Sequence, residues 1–174
     1  GVATLGVVRP GDGVGNVAGL AGLVLEGSFD TAVSTKLPVV ELPLRSAIRV
    51  DRPVAGTFQG LWPGVHVEKD GAVRAAPTGA AWIDTNSGFL RFLRAATPAP
   101  VWLANTPPPD NVIPVERYLT AIGDAAMTGA RWVVALDREF EKRLLAGDDK
   151  ARAGWRRIAA HLKFYEDHRE WREM

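Results

Sequence analysis

Apolar residues in this chain fall in short continuous runs, and five of these runs stop at a carboxylate or an amide. They read Leu23-Val24-Leu25-Glu26, Val39-Val40-Glu41, Val54-Ala55-Gly56-Thr57-Phe58-Gln59, Val101-Trp102-Leu103-Ala104-Asn105 and Val133-Val134-Ala135-Leu136-Asp137. Runs of this length bounded by turn residues fit strands buried on both faces, as in parallel sheets. Parallel α/β folds meet their ligands at the carboxyl ends of the strands. A row of polar residues at that position therefore predicts a pocket lined by acids and amides.

The two halves of the chain differ in texture. From Gly1 to about Gly79 the runs are short and divided by Gly and Pro, with a further strand expected within Val2 to Val8. From Trp82 onward helical periodicity alternates with strands. Asp84 or Thr85 is suited to cap a helix from Ser87 to Ala96, with Phe89, Leu90 and Leu93 on one face. Pro98 and Pro100 end it, and Val101 to Ala104 returns as a strand. Pro114 suits the first turn of the next helix, Leu119, Ile122 and Ala126 supply its apolar stripe, and Gly129 sits where a C-terminal cap belongs. A strand over Arg131 to Leu136, a short helix around Glu139 to Leu145 and a long helix from about Asp149 follow. Trp155, Ile158, Leu162 and Tyr165 share one face of the long helix, and the nearly all-charged stretch from Glu166 to Glu173 reads as its solvated end. The Gly/Ala/Pro-rich segment 71–79 reads as a loop, with a hairpin around Lys69-Asp70-Gly71. Strand, helix, strand at this spacing is the βαβ pattern, so the expected fold class is α/β, a mainly parallel sheet with flanking helices.

Composition narrows this picture only a little. A chain of 174 residues holds one good-sized core, so a single α/β domain over 1–174 is expected. A net charge of +1 argues against nucleic acid as partner, and no apolar span reaches the ~18 residues of a transmembrane helix. The absence of cysteine excludes disulfides and thiolate metal sites. His66, His161 and His168 have no partners at metal-ligand spacing and read as surface or structural residues. No Ser sits in a Gly-x-Ser-x-Gly elbow. Gly11-Asp12-Gly13-Val14-Gly15-Asn16 has the composition of a phosphate-cradling loop, but the space before Glu26 is too short for a dinucleotide-binding unit, and an ordinary turn is the simpler reading. No cofactor is implied.

The acids carry the candidate chemistry. Hydrolysis of a glycosidic bond needs two carboxylates flanking it, one protonated and one ionised. Glu26, Glu41 and Asp137 stand at strand ends and Asp84 at a helix start. A single acid at such a place is most often a cap or an arginine partner, and Arg45 is near enough in sequence to neutralise Glu41. Trp62, between Gly60 and Gly64, offers a flat apolar face beside Gln59, a combination suited to a sugar, unless Trp62 plugs the core instead.

At these residues a resemblance enters. Pro77-Thr78-Gly79-Ala80-Ala81-Trp82-Ile83-Asp84-Thr85-Asn86-Ser87-Gly88-Phe89 resembles a Gly-Pro-x-Gly-x-x-Trp-Val/Ile-Asp-x-Asn segment of uncharacterised bacterial proteins similar to TIM-barrel glycoside hydrolases. Gln59 to Gly64 and Gly129 to Asp137 look like parts of the same group, so the likeness covers roughly positions 54–137. It implies a carbohydrate-like cleft lined by Glu41, Asp84 and Asp137, with Gln59, Trp62, Asn86 and Asn105 around it. Glu41 and Asp137 are the expected catalytic pair if the chain hydrolyses its ligand, and carbohydrate is the expected partner. A closed (β/α)₈ barrel takes ~250 residues. The chain is therefore expected to be either the N-terminal part of a larger barrel or a smaller open sheet whose edges are free to form a homo-oligomer. Two other readings stand beside this one, a non-catalytic domain mediating assembly and a small nucleotide-binding domain using Gly11 to Gly15.

Overall fold

The structure is a computed structural model and describes residues 3–67, 69, 73–75, 85–108 and 110–173. Among the described residues, six strands come first, and helices and strands then follow in the order the sequence predicts, with four α-helices and eight strands in all. Strands β1 (Leu5–Val8), β2 (Gly22–Glu26) and β3 (Val39–Leu42) form one parallel ladder in chain order. Strands β4 (Ala55–Thr57), β7 (Val101–Ala104) and β8 (Arg131–Val133) form a second, also parallel and in chain order. Between β4 and the first helix lies an antiparallel hairpin, β5 (Val65–Val67) with β6 (Val73–Ala75). The hairpin turns around Lys69 as expected, but β6 occupies part of the stretch read as loop. The fold is α/β with two small parallel sheets flanked by helices.

The first three crossovers run through residues 9–21, 27–38 and 43–54 without an α-helix; the last contains only a 3-10 turn at Arg45–Ala47. About a dozen residues is the least that returns a chain to start a parallel strand. Loops span the distance here, and Val17, Leu20 and Phe29 on them cover β2 where a helix would otherwise lie. The later crossovers carry α1 (Asn86–Ala96) and α2 (Val115–Met127), followed by α3 (Arg138–Leu145) and α4 (Asp149–Asp167). The Thr85 hydroxyl caps α1, and α2 ends where Gly129 takes a φ of 72°, letting Ala130 N donate to Ala125 O at 2.8 Å.

Strand periodicity sorts the core into layers. Leu23 and Leu25 face outward to Val8, with Val17, Leu20 and Phe29 packed over them. Val24 faces the other way and meets Leu42 and Ala104, joined by Leu5, Val40, Phe58, Trp102 and Val133. That second cluster draws from both ladders, so the two sheets share one inner face. Their adjoining strands β3 and β4 are tied by Thr57 Oγ1 donating to Pro43 O at 2.7 Å and Arg45 N donating to Gln59 Oε1 at 2.8 Å. Outside β7, Leu90 and Leu93 of α1 and Ala125 of α2 bury Val101 and Leu103. Farther out, Tyr118 and Ile122 of α2 pack on Phe140 and Ile158.

Candidate functional site

The carboxyl ends of the parallel strands bring most of the expected residues to one side of the molecule, but many of their polar atoms are engaged with the protein itself. The loop after β4 shows this most clearly. Asn86, at the start of α1, accepts from Leu61 N at 2.8 Å and donates to Leu61 O at 2.6 Å. Asn105, just past β7, donates to the same carbonyl at 2.6 Å and accepts from Trp132 Nε1 at 3.0 Å. Both asparagines are almost completely buried. Gly60 is what admits this arrangement: a Cβ there would lie 1.7 Å from Asn105 Oδ1. Gln59 holds Arg45 through its side chain and its carbonyl, the latter accepting from Arg45 Nε at 2.9 Å. These three amides fasten the loop.

Trp62, carried on that loop, packs edge-on against Tyr118 and Trp132, with ring centroids 5.0 and 6.0 Å apart. It belongs to the layer between sheet and helices and is half-buried there. Its indole N–H is buried with no partner among the described residues.

Asp137 was expected at a strand end beside Glu41. Instead β8 stops at Val133, Val134 and Leu136 pack into the helical layer, and Asp137 becomes the N-cap of α3. Its Oδ1 accepts from Phe140 N at 2.9 Å; its Oδ2 accepts from Ile113 N at 3.1 Å and from the Tyr118 hydroxyl at 3.0 Å. The Tyr118 oxygen in turn accepts from Asp137 N at 2.9 Å. Burial, reinforced by the Asp137 carboxylate, holds the Tyr118 phenol well above the ordinary tyrosine range. With 1% of its surface exposed and three donors on its carboxylate, Asp137 is committed to structure.

Glu41 lies elsewhere. It pairs with Leu25 across the ladder, and paired residues share a face, so its side chain points outward with Leu25 and away from Val24 and Leu42. There it is exposed and borders a cavity of about 370 Å³ with Phe29, Val39, Arg49 and Arg52. The structure does not bring Glu41 and Asp137 into one cleft. Asp84 lies outside the described residues.

The acid at the inner mouth is Glu26, which the row of strand ends included but which also fits a turn. It shares the inward face of β2 with Val24 and is 3% exposed. Its Oε1 accepts from Thr106 Oγ1 at 3.0 Å, a contact that joins the ends of β2 and β7 across the two sheets. Its Oε2 lies 3.1 Å from Arg9 Nη2 as an ion pair without hydrogen-bond geometry, leaving that oxygen without a hydrogen-bond donor among the described residues. Arg9 is 57% exposed and so lies over the acid from the solvent side. Period-two alternation places Glu26 on the face of Val24, but the equally apolar Leu23 and Leu25 leave the sequence silent on which face turns inward.

The Gly-rich segment 11–15 is exposed, and no helix begins after it, so no helix N-terminus is aimed at a phosphate there. Among the described residues, no group of three His, Asp or Glu is placed to hold a metal ion, and no helix is long and apolar enough to cross a membrane. The chain matches no family model, no curated protein and no solved structure.

Proposed function

We propose that the carboxyl edge of the six parallel strands binds a hydroxyl-rich small molecule, a carbohydrate or close analogue, with Glu26 as the acid that meets it. The observation that carries this reading is the Glu26 Oε2 atom: inward-facing, buried, ion-paired to a half-exposed arginine, and without a hydrogen-bond donor among the described residues. A buried carboxylate oxygen in that state costs free energy until a donor reaches it. A sugar hydroxyl supplies that donor once Arg9 swings aside, and Arg9 then faces the ligand's remaining oxygens. The Trp102 face, with Arg131 stacked 5.7 Å from its centroid, lies deeper on the same inner side.

The glycoside-hydrolase form of the reading is less favoured than the binding form. Hydrolysis requires two acids about 5–10 Å apart across one bond. Glu41 faces the outer side and Asp137 is spent on its cap, so neither stands as partner to Glu26.

The test is saturation-transfer NMR on the whole chain against a panel of mono- and oligosaccharides, followed by titration of the best binder into Glu26→Gln. A carboxylate–hydroxyl bond contributes about 1.5–3 kcal/mol, so the amide variant should bind about tenfold or more weakly. Saccharide binding unchanged in Glu26→Gln, or no saturable binding at millimolar sugar, refutes the proposal.

A further inference from the structure

A second cavity, of about 520 Å³, lies among α1, α2 and α4. Arg91 of α1, Leu119, Asp124 and Met127 of α2, and His161 and Tyr165 of α4 line it. The volume is within the range of small-molecule sites.

Asp124 is the anomalous residue. It is half-buried, yet among the described residues nothing donates to its carboxylate and no cation pairs with it. The nearest hydroxyls on its own helix are turned away. Thr120, one turn before, donates to Glu116 O at 2.9 Å, and Thr128, one turn after, donates to the Asp124 carbonyl at 2.7 Å. His161 does not answer the charge either. Its Nε2 lies 3.0 Å from Leu119 O, which only accepts, so Nε2 carries the proton and the neutral ring keeps Nδ1 as an acceptor. Burial also pushes the His161 imidazole below its usual range, which favours that neutral form. Arg91 shares the cavity without closing an ion pair on Asp124. Partial burial holds the Asp124 carboxyl above its usual range, and its oxygens stay open to the cavity, where a cation brought by a ligand can meet them. Tyr165 closes one wall, its ring edge-on to His161 at 5.0 Å, and Gly123 lets it approach, since a Cβ there would lie 3.1 Å from the phenol oxygen.

We propose that this cavity binds a small organic ammonium ion, with Asp124 as its counter-ion and Leu119, Met127 and the Tyr165 ring against its hydrocarbon body. Arg91, exposed at the rim, favours among such ligands those that also carry a carboxylate.

Three probes of matched length test this on the whole chain by ¹⁵N–¹H correlation spectra: pentylamine, 6-aminohexanoate and hexanoate. Saturable shifts around Arg91, Asp124 and His161 are expected for the two amines, tighter for 6-aminohexanoate, and none for hexanoate. Asp124→Asn should weaken amine binding at least tenfold. Because it removes an unpaired charge, the same variant should melt higher than wild type at pH 7, the two curves converging below about pH 4, where the carboxyl is protonated in both states. The proposal is overturned by the absence of saturable amine binding, by equal binding to Asp124→Asn, by equal shifts with hexanoate, or by a lower melting point for Asp124→Asn, which would place the carboxylate in a structural bond.

Discussion

Replacing Asp137 by alanine separates a structural acid from a catalytic one. The substitution removes the side-chain cap of α3, worth about 0.5–2 kcal/mol. It also strips the acceptor from two further buried donors, Ile113 N and the Tyr118 hydroxyl, each costing about 1–3 kcal/mol when orphaned. Part of that cost is recovered where the pocket relaxes, so a loss of about 3–6 kcal/mol is expected. Native domains are stable by only about 5–15 kcal/mol, so the variant should stand close to unfolding. For a chain of this size the melting point should fall by roughly 10–20 °C. Urea unfolding followed by tryptophan fluorescence reads this directly, because Trp62 and Trp132 both pack edge-on against Tyr118. Glu41→Ala is the matched control: an exposed carboxylate on the outer face should change stability by less than about 0.5 kcal/mol. If Asp137→Ala proves as stable as Glu41→Ala, the Asp137 carboxylate is not the cap described here, and its place among candidate catalytic residues is restored.

Two other perturbations probe the same region. The folded-state Tyr118 pKa is raised above the unfolded value of about 10, so its stabilisation is complete below about pH 10 and lost as pH rises beyond it. Tyr118→Phe should therefore be destabilised by about 1–3 kcal/mol at pH 7, and the gap to wild type should narrow in urea midpoints taken toward pH 11; a constant gap would refute the coupling. Gly60→Ala places a Cβ against Asn105 Oδ1 and should cost about 2–3 kcal/mol by displacing the loop that carries Trp62. Combined with Asn105→Ala, which removes the two nearest clashing atoms and leaves the Ala104 carbonyl oxygen, the two costs should be less than additive; strict additivity would mean that Gly60 and Asn105 do not meet.

The elements were legible in the sequence because each rests on local chemistry. Apolar runs between Gly and Pro marked the strands, Asp84 or Thr85 marked the start of α1, where Thr85 proves to be the cap, and Gly129 marked the end of α2. The parallel class followed from the continuous apolar runs, and both ladders are parallel, although Val7 and Val39 are exposed rather than buried as both-face burial predicts. The roles of the strand-end polar residues were not legible, for a physical reason. An acid after an apolar run looks the same whether the ladder continues to it, as at Glu26, or stops short and leaves it to cap a helix, as at Asp137. Which face an acid takes depends on where its strand begins in register. One residue separates the inward Leu42 from the outward Glu41. Asn86 and Asn105, expected around a ligand cleft, converge instead on the Leu61 carbonyl from α1 and β7, a contact between distant parts of the chain that no local pattern encodes. Local sequence thus determined the strands, the helices and their parallel order. Only the tertiary structure decided that Asp137 is a cap, that Glu41 faces outward, and that Glu26 is the acid left at the inner mouth.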